Sequence, residues 1–324
     1  MTTTSLSEIT GLFQSASRIV LCTHVQPDGD ALGSLLAAGI MLKSLKKDVT
    51  LVCHDPVPDN LKILPGWEAV RLPEEAEGQR YDLFCVLDAS DLERIGGCGR
   101  LFSKTDNTLV IDHHASNTLF GKYNYVVSDV AATGNLVYRL YQELKVPISS
   151  DAAACLYSAL STDTGNFSYG QMDEEFFMQM AGLIKAGLDI NKYARALHLT
   201  KEYNTLKLKS RALESLSLEC GGRLSYMRLK LADFAETETL PDQTDGLVNL
   251  ALNISGVKMC FLATQLDENT TKFSLRALPP YDVAQIAVEF GGGGHVLAAG
   301  CTIKLPVCEA VQVMLERMRR VVCQ

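Results

Sequence analysis

His24, Asp28 and Asp30 fall within seven residues of one another, in a stretch that reads Leu-Cys-Thr-His-Val-Gln-Pro-Asp-Gly-Asp-Ala-Leu-Gly-Ser over residues 21–34. One imidazole and two carboxylates this close suit a divalent cation such as manganese, magnesium or zinc. The plainer reading of the same residues is a Pro-Asp-Gly turn with Asp30 capping the next helix. Asp88 and the run Asp112-His113-His114 bring further ligand types. Acids crowded together repel one another unless cations sit between them. A metal centre is therefore the economical account of all three stretches, provided the fold brings them together.

The surrounding pattern says how it would. Apolar runs over residues 18–22, 82–87 and 108–111 read as strands, and each ends where the chemistry begins. Loops beyond the carboxyl ends of parallel strands are where ligands bind in an open α/β sheet. Ala31, Leu32, Leu35, Leu36, Ala38 and Ile40 give a helical pattern directly after the first motif. Further strands are expected over 48–53 and 123–127, and helices over 5–18, 131–144, 151–160, 174–186 and 190–199. This alternation predicts an α/β fold with a doubly wound, mostly parallel sheet. His54 is read as a surface imidazole, Trp67 as a packing plug, and Arg94 as a weak candidate for phosphate contact.

The spacing carries a resemblance. His24-x-x-Pro27-Asp28-x-Asp30-Ala31-x-Gly33-Ser34, then Asp88, then Asp112-His113-His114, resembles the DHH phosphoesterase superfamily. Gly291-Gly292-Gly293-Gly294-His295-x-x-Ala298-Ala299-Gly300 resembles the glycine-rich signature of the DHHA1 domain. Together and in this order they are similar to the oligoribonuclease and pAp-phosphatase (nanoRNase) branch. The resemblance implies a DHH metal-binding domain over 1–199, a helical connector over 200–219 and a smaller α/β DHHA1 domain over 220–324, with the catalytic cleft between the two domains.

It also implies two manganese ions, with magnesium or another divalent ion able to replace them. One ion would be held by His24, Asp28 and Asp88, the other by Asp30, Asp88, His113 and Asp163, so that Asp88 bridges. Asp163 lies in Thr162-Asp163-Thr164-Gly165, where capping or turning the chain is its alternative role. Paired cations suit phosphoryl displacement because they clamp the attacking and leaving oxygens. His114 would face the substrate, and Asp112 would orient an imidazole, with a buried structural hydrogen bond as the equal alternative. Gly292, Gly293 and Gly294 would offer backbone N–H groups to an anion, and His295 and Arg276 would grip the substrate's far end. Two departures stand out: Val296-Leu297 replaces a basic residue common after the glycine-run histidine, and Asn135 stands where an acid is common.

The implied activity is release of mononucleotides from short oligoribonucleotides, with pAp dephosphorylation as a companion. A cyclic-di-AMP or pApA phosphodiesterase is the runner-up. A RecJ-like exonuclease on long strands, a manganese pyrophosphatase and a non-catalytic nucleotide sensor fit less well. The formal net charge of -8 supplies few phosphate contacts, so long nucleic acid is not an expected partner. A homodimer is allowed for. Ten cysteines occur without a C-x-x-C pair, and Cys22, Cys85, Cys155 and Cys260 sit in apolar runs. That favours a reducing compartment over a disulfide framework. With no apolar signal core and no run long enough for a membrane span, the expectation is a cytoplasmic protein with no membrane partner.

Overall fold

The computed structural model describes residues 4–244 and 246–323, and the chain divides into two compact units, Met1–Thr200 and Lys201–Gln324. The first unit carries six strands, β1 (Arg18–Cys22), β2 (Asp48–Val52), β3 (Val70–Arg71), β4 (Leu83–Leu87), β5 (Thr108–Asp112) and β6 (Tyr123–Val126). They lie in the order β3-β2-β1-β4-β5-β6 and every neighbouring pair is parallel. The order reverses between β1 and β4, and this switch point is where open α/β sheets open a crevice beyond their carboxyl ends.

Both faces of the sheet are covered, because alternate residues of each strand point to opposite sides. Ile19, Leu21, Leu83, Cys85, Leu87, Leu109 and Ile111 pack into one core. Val20, Cys22, Phe84, Val86 and Val110 pack into a second with Ile95, Cys98 and Leu101. On the first face lie α1 (Leu6–Ser15) and α2 (Gly29–Ser44), and the short α3 (Pro73–Ala76) and α4 (Gly99–Phe102) follow later in the chain. Next come α5 (Thr133–Glu143), α6 (Ser150–Asp163), α7 (Glu174–Lys185) and α8 (Ile190–Ala194), the last continued by one π turn over Arg195–Leu199. Helix α2 is buried on nearly all sides, so truncating one of its core leucines such as Leu35 would cost about 2–5 kcal/mol.

The second unit begins with α9 (Tyr203–Glu214). Of residues 200–219, expected as a connector, all but Thr200 fall within this unit. Leu208 and Ala212 of α9 are buried in its core, and β7 (Ser217–Glu219) is an edge strand of its sheet. The charged pattern hid this because only two positions of α9 turn fully inward. The remaining elements are β8 (Leu224–Leu229), α10 (Leu231–Thr237), α11 (Leu247–Leu252), β9 (Met259–Asp267), β10 (Thr270–Ala277), α12 (Val283–Glu289), β11 (Gly293–His295), β12 (Ala298–Ile303) and α13 (Val307–Val322). The sequence pattern puts residues 245–252 within a helix; α11 covers its later part, and Asp245 lies outside the described residues. The strand order is β11-β12-β10-β9-β8-β7, antiparallel except for β8 with β9.

Cys220 and Cys323 are joined in a disulfide, 103 residues apart in sequence. No spacing in the chain announces it, because only the return of α13 to the β7 edge brings the two together. Cys22, Cys85, Cys155 and Cys260 are buried free thiols. Among the described residues no helix is long and apolar enough to cross a membrane.

Candidate metal centre

Three loops at the β1–β4 switch point deliver the ligand types. Asp28, rather than Asp30, caps α2, its Oδ1 accepting from the backbone N–H groups of Asp30 and Ala31 at 3.0 Å each. The cap leaves Asp30 in the first turn, 1% exposed and pointing inward. Asp88 follows β4 with φ 60°, a left-handed conformation that is uncommon outside glycine and that aspartate tolerates better than most residues. Asp112 is the last residue of β5, and His113 and His114 follow it. Asp163 is the last residue of α6.

The side chains meet in overlapping groups. His24 Nε2 lies 3.8 Å from Asp28 Oδ1 and 3.6 Å from Asp88 Oδ2. His113 Nε2 lies 3.8 Å from Asp30 Oδ2, 3.7 Å from Asp88 Oδ1 and 3.2 Å from Asp163 Oδ2. His114 Nδ1 lies 3.6 Å from Asp88 Oδ1. Most of these separations are too long for hydrogen bonds. They match the spacing of donors around a shared cation whose bonds are about 2.0–2.6 Å. His24 Nδ1 is turned to the carbonyl oxygen of Val25 at 2.8 Å, which directs Nε2 at the carboxylates, as a metal-ligating imidazole requires. The two oxygens of Asp88 face different groups, Oδ2 toward His24 and Oδ1 toward His113 and His114. The donor set therefore suits divalent cations.

Electrostatics point the same way. Burial, then the charges of Asp88, Asp163 and Asp28, push the Asp30 carboxyl well above the usual carboxylate range. Burial raises Asp163 to about 6 against the pull of His113. Burial works against a charged His24, but Asp28 and Asp88 outweigh it and raise the imidazole to about 10. Acids that hold protons and imidazoles that cannot lose them are the mark of an anionic cluster short of positive charge, the deficit that cations fill.

The support around the ligands was not read from the sequence. The N-terminus of α5 aims Thr133 N–H at Asp30 Oδ2 (2.7 Å) and Gly134 N–H at Asp30 Oδ1 (3.0 Å), and Ser34 Oγ donates to Oδ1 at 2.8 Å. Thr133 Oγ1 donates to Asp88 Oδ1 at 3.0 Å. A helix N-terminus is a natural seat for a carboxylate. Gly134 must be glycine here, since a Cβ would lie 2.5 Å from that of Ala159. Asp112 Oδ1 accepts from His114 Nδ1 at 2.8 Å and its Oδ2 from Asn117 Nδ2 at 2.6 Å. The imidazole that Asp112 orients is thus that of His114, and the hydrogen bond lifts His114 to about 9 despite burial. Asn135 takes the place of an acid by accepting from Ala132 N–H at 3.0 Å and capping α5. His54 is exposed and accepts from Gly97 N–H at 3.2 Å, and Arg94 is exposed.

In the second unit, Arg276 of β10 pairs with Ala298 of β12, which pairs in turn with His295 of β11. Directly paired residues share a sheet face, so Arg276 and His295 flank the small Ala298, their backbones roughly 9–10 Å apart. Gly293 and Gly294 belong to β11. A Cβ on Gly292 would lie 2.1 Å from the Gly300 carbonyl oxygen, so close strand packing alone demands that glycine.

Comparison with known proteins agrees with this architecture. Residues 18–160 match the DHH family, N-terminal domain, and residues 224–323 match the DHHA1 domain. The bifunctional oligoribonuclease and PAP phosphatase NrnA of Thermus thermophilus is 30% identical over 93% of this chain and 89% of its own length. The protein of the same name from Bacillus subtilis is 25% identical over 88% and 89%. A crystal structure of an exopolyphosphatase-related protein from Bacteroides fragilis superposes with a TM-score of 0.91 at 27% identity, covering 98% of this chain and 97% of that one. With both domains matched in order and the ligand types gathered at one switch point, the chain belongs to the DHH/DHHA1 family of metal-dependent phosphoesterases.

Proposed function

We propose that this chain is a manganese-dependent phosphoesterase that releases mononucleotides from short oligoribonucleotides and also removes the 3′-phosphate of pAp. The observation that carries the reading is the pair of ligand groups joined through Asp88, one with His24 and Asp28, the other with Asp30, His113 and Asp163. Relatives named as oligoribonuclease and PAP phosphatase, similar over most of their length, support the substrate class. Two cations held by these residues would polarise the scissile phosphate and neutralise charge developing on it. The hydrogen bond between His114 Nδ1 and Asp112 fixes the ring and leaves Nε2 to meet a phosphate oxygen. In the second unit Arg276, His295 and the N–H groups of Gly292, Gly293 and Gly294 would bind the anionic far end of the substrate. The cytoplasm, where RNA fragments form, is the expected compartment.

The test is one product-resolved assay with manganese on a diribonucleotide, pAp, pApA, cyclic-di-AMP and a long oligomer, each with and without a chelator. Chelator-sensitive turnover of the short linear substrates is the expected result. Cyclic-di-AMP as the best substrate would move the chain to the runner-up activity. No turnover of any of them, with manganese bound, would refute the proposal.

A further inference from the structure

Directly after Asp163 the chain makes a turn that secondary-structure propensity does not favour. Gly165, Asn166 and Phe167 follow one another with φ of 54°, 54° and 65°. Two of the three are not glycine, and such conformations persist only where the surroundings over-determine them, commonly at functional sites. Here the last turn of α6 does so. Gly165 N–H donates to Thr162 O at 3.0 Å, Asn166 N–H to Ser161 O at 2.7 Å, and Ser168 and Tyr169 N–H groups to Thr164 O at 2.8 and 3.1 Å. Phe167 N–H donates to Thr164 Oγ1 at 3.2 Å, and that hydroxyl is itself tied to Leu160 O at 2.7 Å.

The turn sends two aromatic rings in opposite directions. Phe167 points inward, with ring centroids 6.4 Å from Tyr157 and 6.1 Å from Phe176. Tyr169 stays outside, 59% exposed. Its ring lies against Gly165, filling the space that a side chain there would take; a Cβ on residue 165 would sit 2.2 Å from Tyr169 Cε1. A single exposed aromatic is ordinary on a protein surface. This one is different in its seat: it is held on backbone two residues from a metal-ligand position, which places Gly165 Cα within about 8 Å of Asp163 Cα.

We infer that Tyr169 is a stacking platform for a nucleobase of the substrate, the base one ribose removed from the phosphate at the metal centre. The inference rests on the nucleotide substrates proposed above. The strained turn fixes the ring before substrate arrives, so little side-chain entropy is lost on stacking. Base–aromatic stacking tolerates every base, because each has a π face. A platform of this kind holds a nucleotide end whatever its base.

The experiment compares kcat/KM for pApA with kcat/KM for the same dinucleotide lacking its bases, in the full-length protein and in Y169A and Y169F, with manganese content measured on each. Loss of a stacked base should lower the pApA-to-abasic ratio in Y169A by about five- to a hundredfold. Y169F, which keeps the ring, should restore the ratio at equal manganese content. Three results would overturn the platform: Y169A losing both substrates by one factor, as for a loosened Asp163; Y169A losing neither; or Y169F behaving as Y169A, which would make the hydroxyl the active group. If the unsubstituted protein turns over neither dinucleotide, the nucleotide reading fails first and the platform with it.

Discussion

Thr133→Val isolates the support of the metal centre from its ligands. Valine keeps the shape of threonine and removes one hydroxyl. Thr133 is fully buried, at 0% exposure, and its Oγ1 donates to Asp88 Oδ1 at 3.0 Å while its backbone N–H holds Asp30 Oδ2 at 2.7 Å. The substitution leaves the backbone contact to Asp30 in place and takes one donor from Asp88. The imidazole nitrogens near that oxygen, at 3.6 and 3.7 Å, are too far to replace it. A hydrogen bond to a charged group contributes about 1.5–3 kcal/mol, and removing an outer partner of a metal ligand costs about 10–100-fold in metal affinity. The two scales agree. Manganese titration by calorimetry should therefore show an affinity about 10–100-fold weaker, with turnover recovered at high manganese. If the melting temperature fell while manganese affinity and its saturation curve stayed within twofold, Asp88 would be a buried structural acid and not a shared ligand.

Asp88→Asn should abolish turnover and lower occupancy of both cations; asparagine tolerates the φ of 60° at this position, so retention of two ions per chain by metal analysis would sink the bridging role. Manganese must displace the proton that holds His24 at about 10, so its apparent affinity should fall at least tenfold for each unit between pH 8 and 6, and more steeply below about 6 as Asp163 gains its proton. Calorimetry in buffers of different ionisation enthalpy should count at least one proton released, and a flat affinity would contradict His24 as a ligand. Arg276→Ala and His295→Ala should each weaken dinucleotide turnover about ten- to a hundredfold at unchanged manganese content, with a smaller loss on bis-p-nitrophenyl phosphate. Equal loss on both substrates would place these residues in the chemical centre. Substrate binding should show a log–log salt slope shallower than about -4, since each phosphate contact adds only about 0.7 on single strands.

The parts of this site that were legible in the sequence are those set by local order. An apolar run followed at once by Asp or His identifies the carboxyl end of a strand, and three such runs define a rim. What remained hidden depends on contacts between distant segments. Nothing in Ala131-Ala132-Thr133-Gly134 says that its first N–H groups meet Asp30, about a hundred residues earlier, because backbone donors carry no residue signature. Which of two aspartates flanking Gly29 caps α2 is decided by where the helix begins, and the structure chooses Asp28. Asp88 has a left-handed backbone that no neighbouring residue announces. The 200–219 segment reads as charged, yet Leu208 and Ala212 suffice to tie it into the second unit.

The proposed ligands are also unequal in what holds them before a cation arrives. Asp30 has two backbone donors and Ser34 Oγ, and Asp88 has Thr133. Asp163 faces the His113 nitrogen at 3.2 Å from the end of a helix, where the macrodipole disfavours a negative charge. The fold therefore builds most of the centre with its own donors and leaves the α6 terminus as the position most dependent on cation charge. Metal binding should tighten the turn over residues 163–170 more than the β1 and β4 loops, and hydrogen exchange with and without manganese reads that difference directly. Protection appearing first in the β1 loop would reverse the order, and Asp163 would then be as firmly held as the rest.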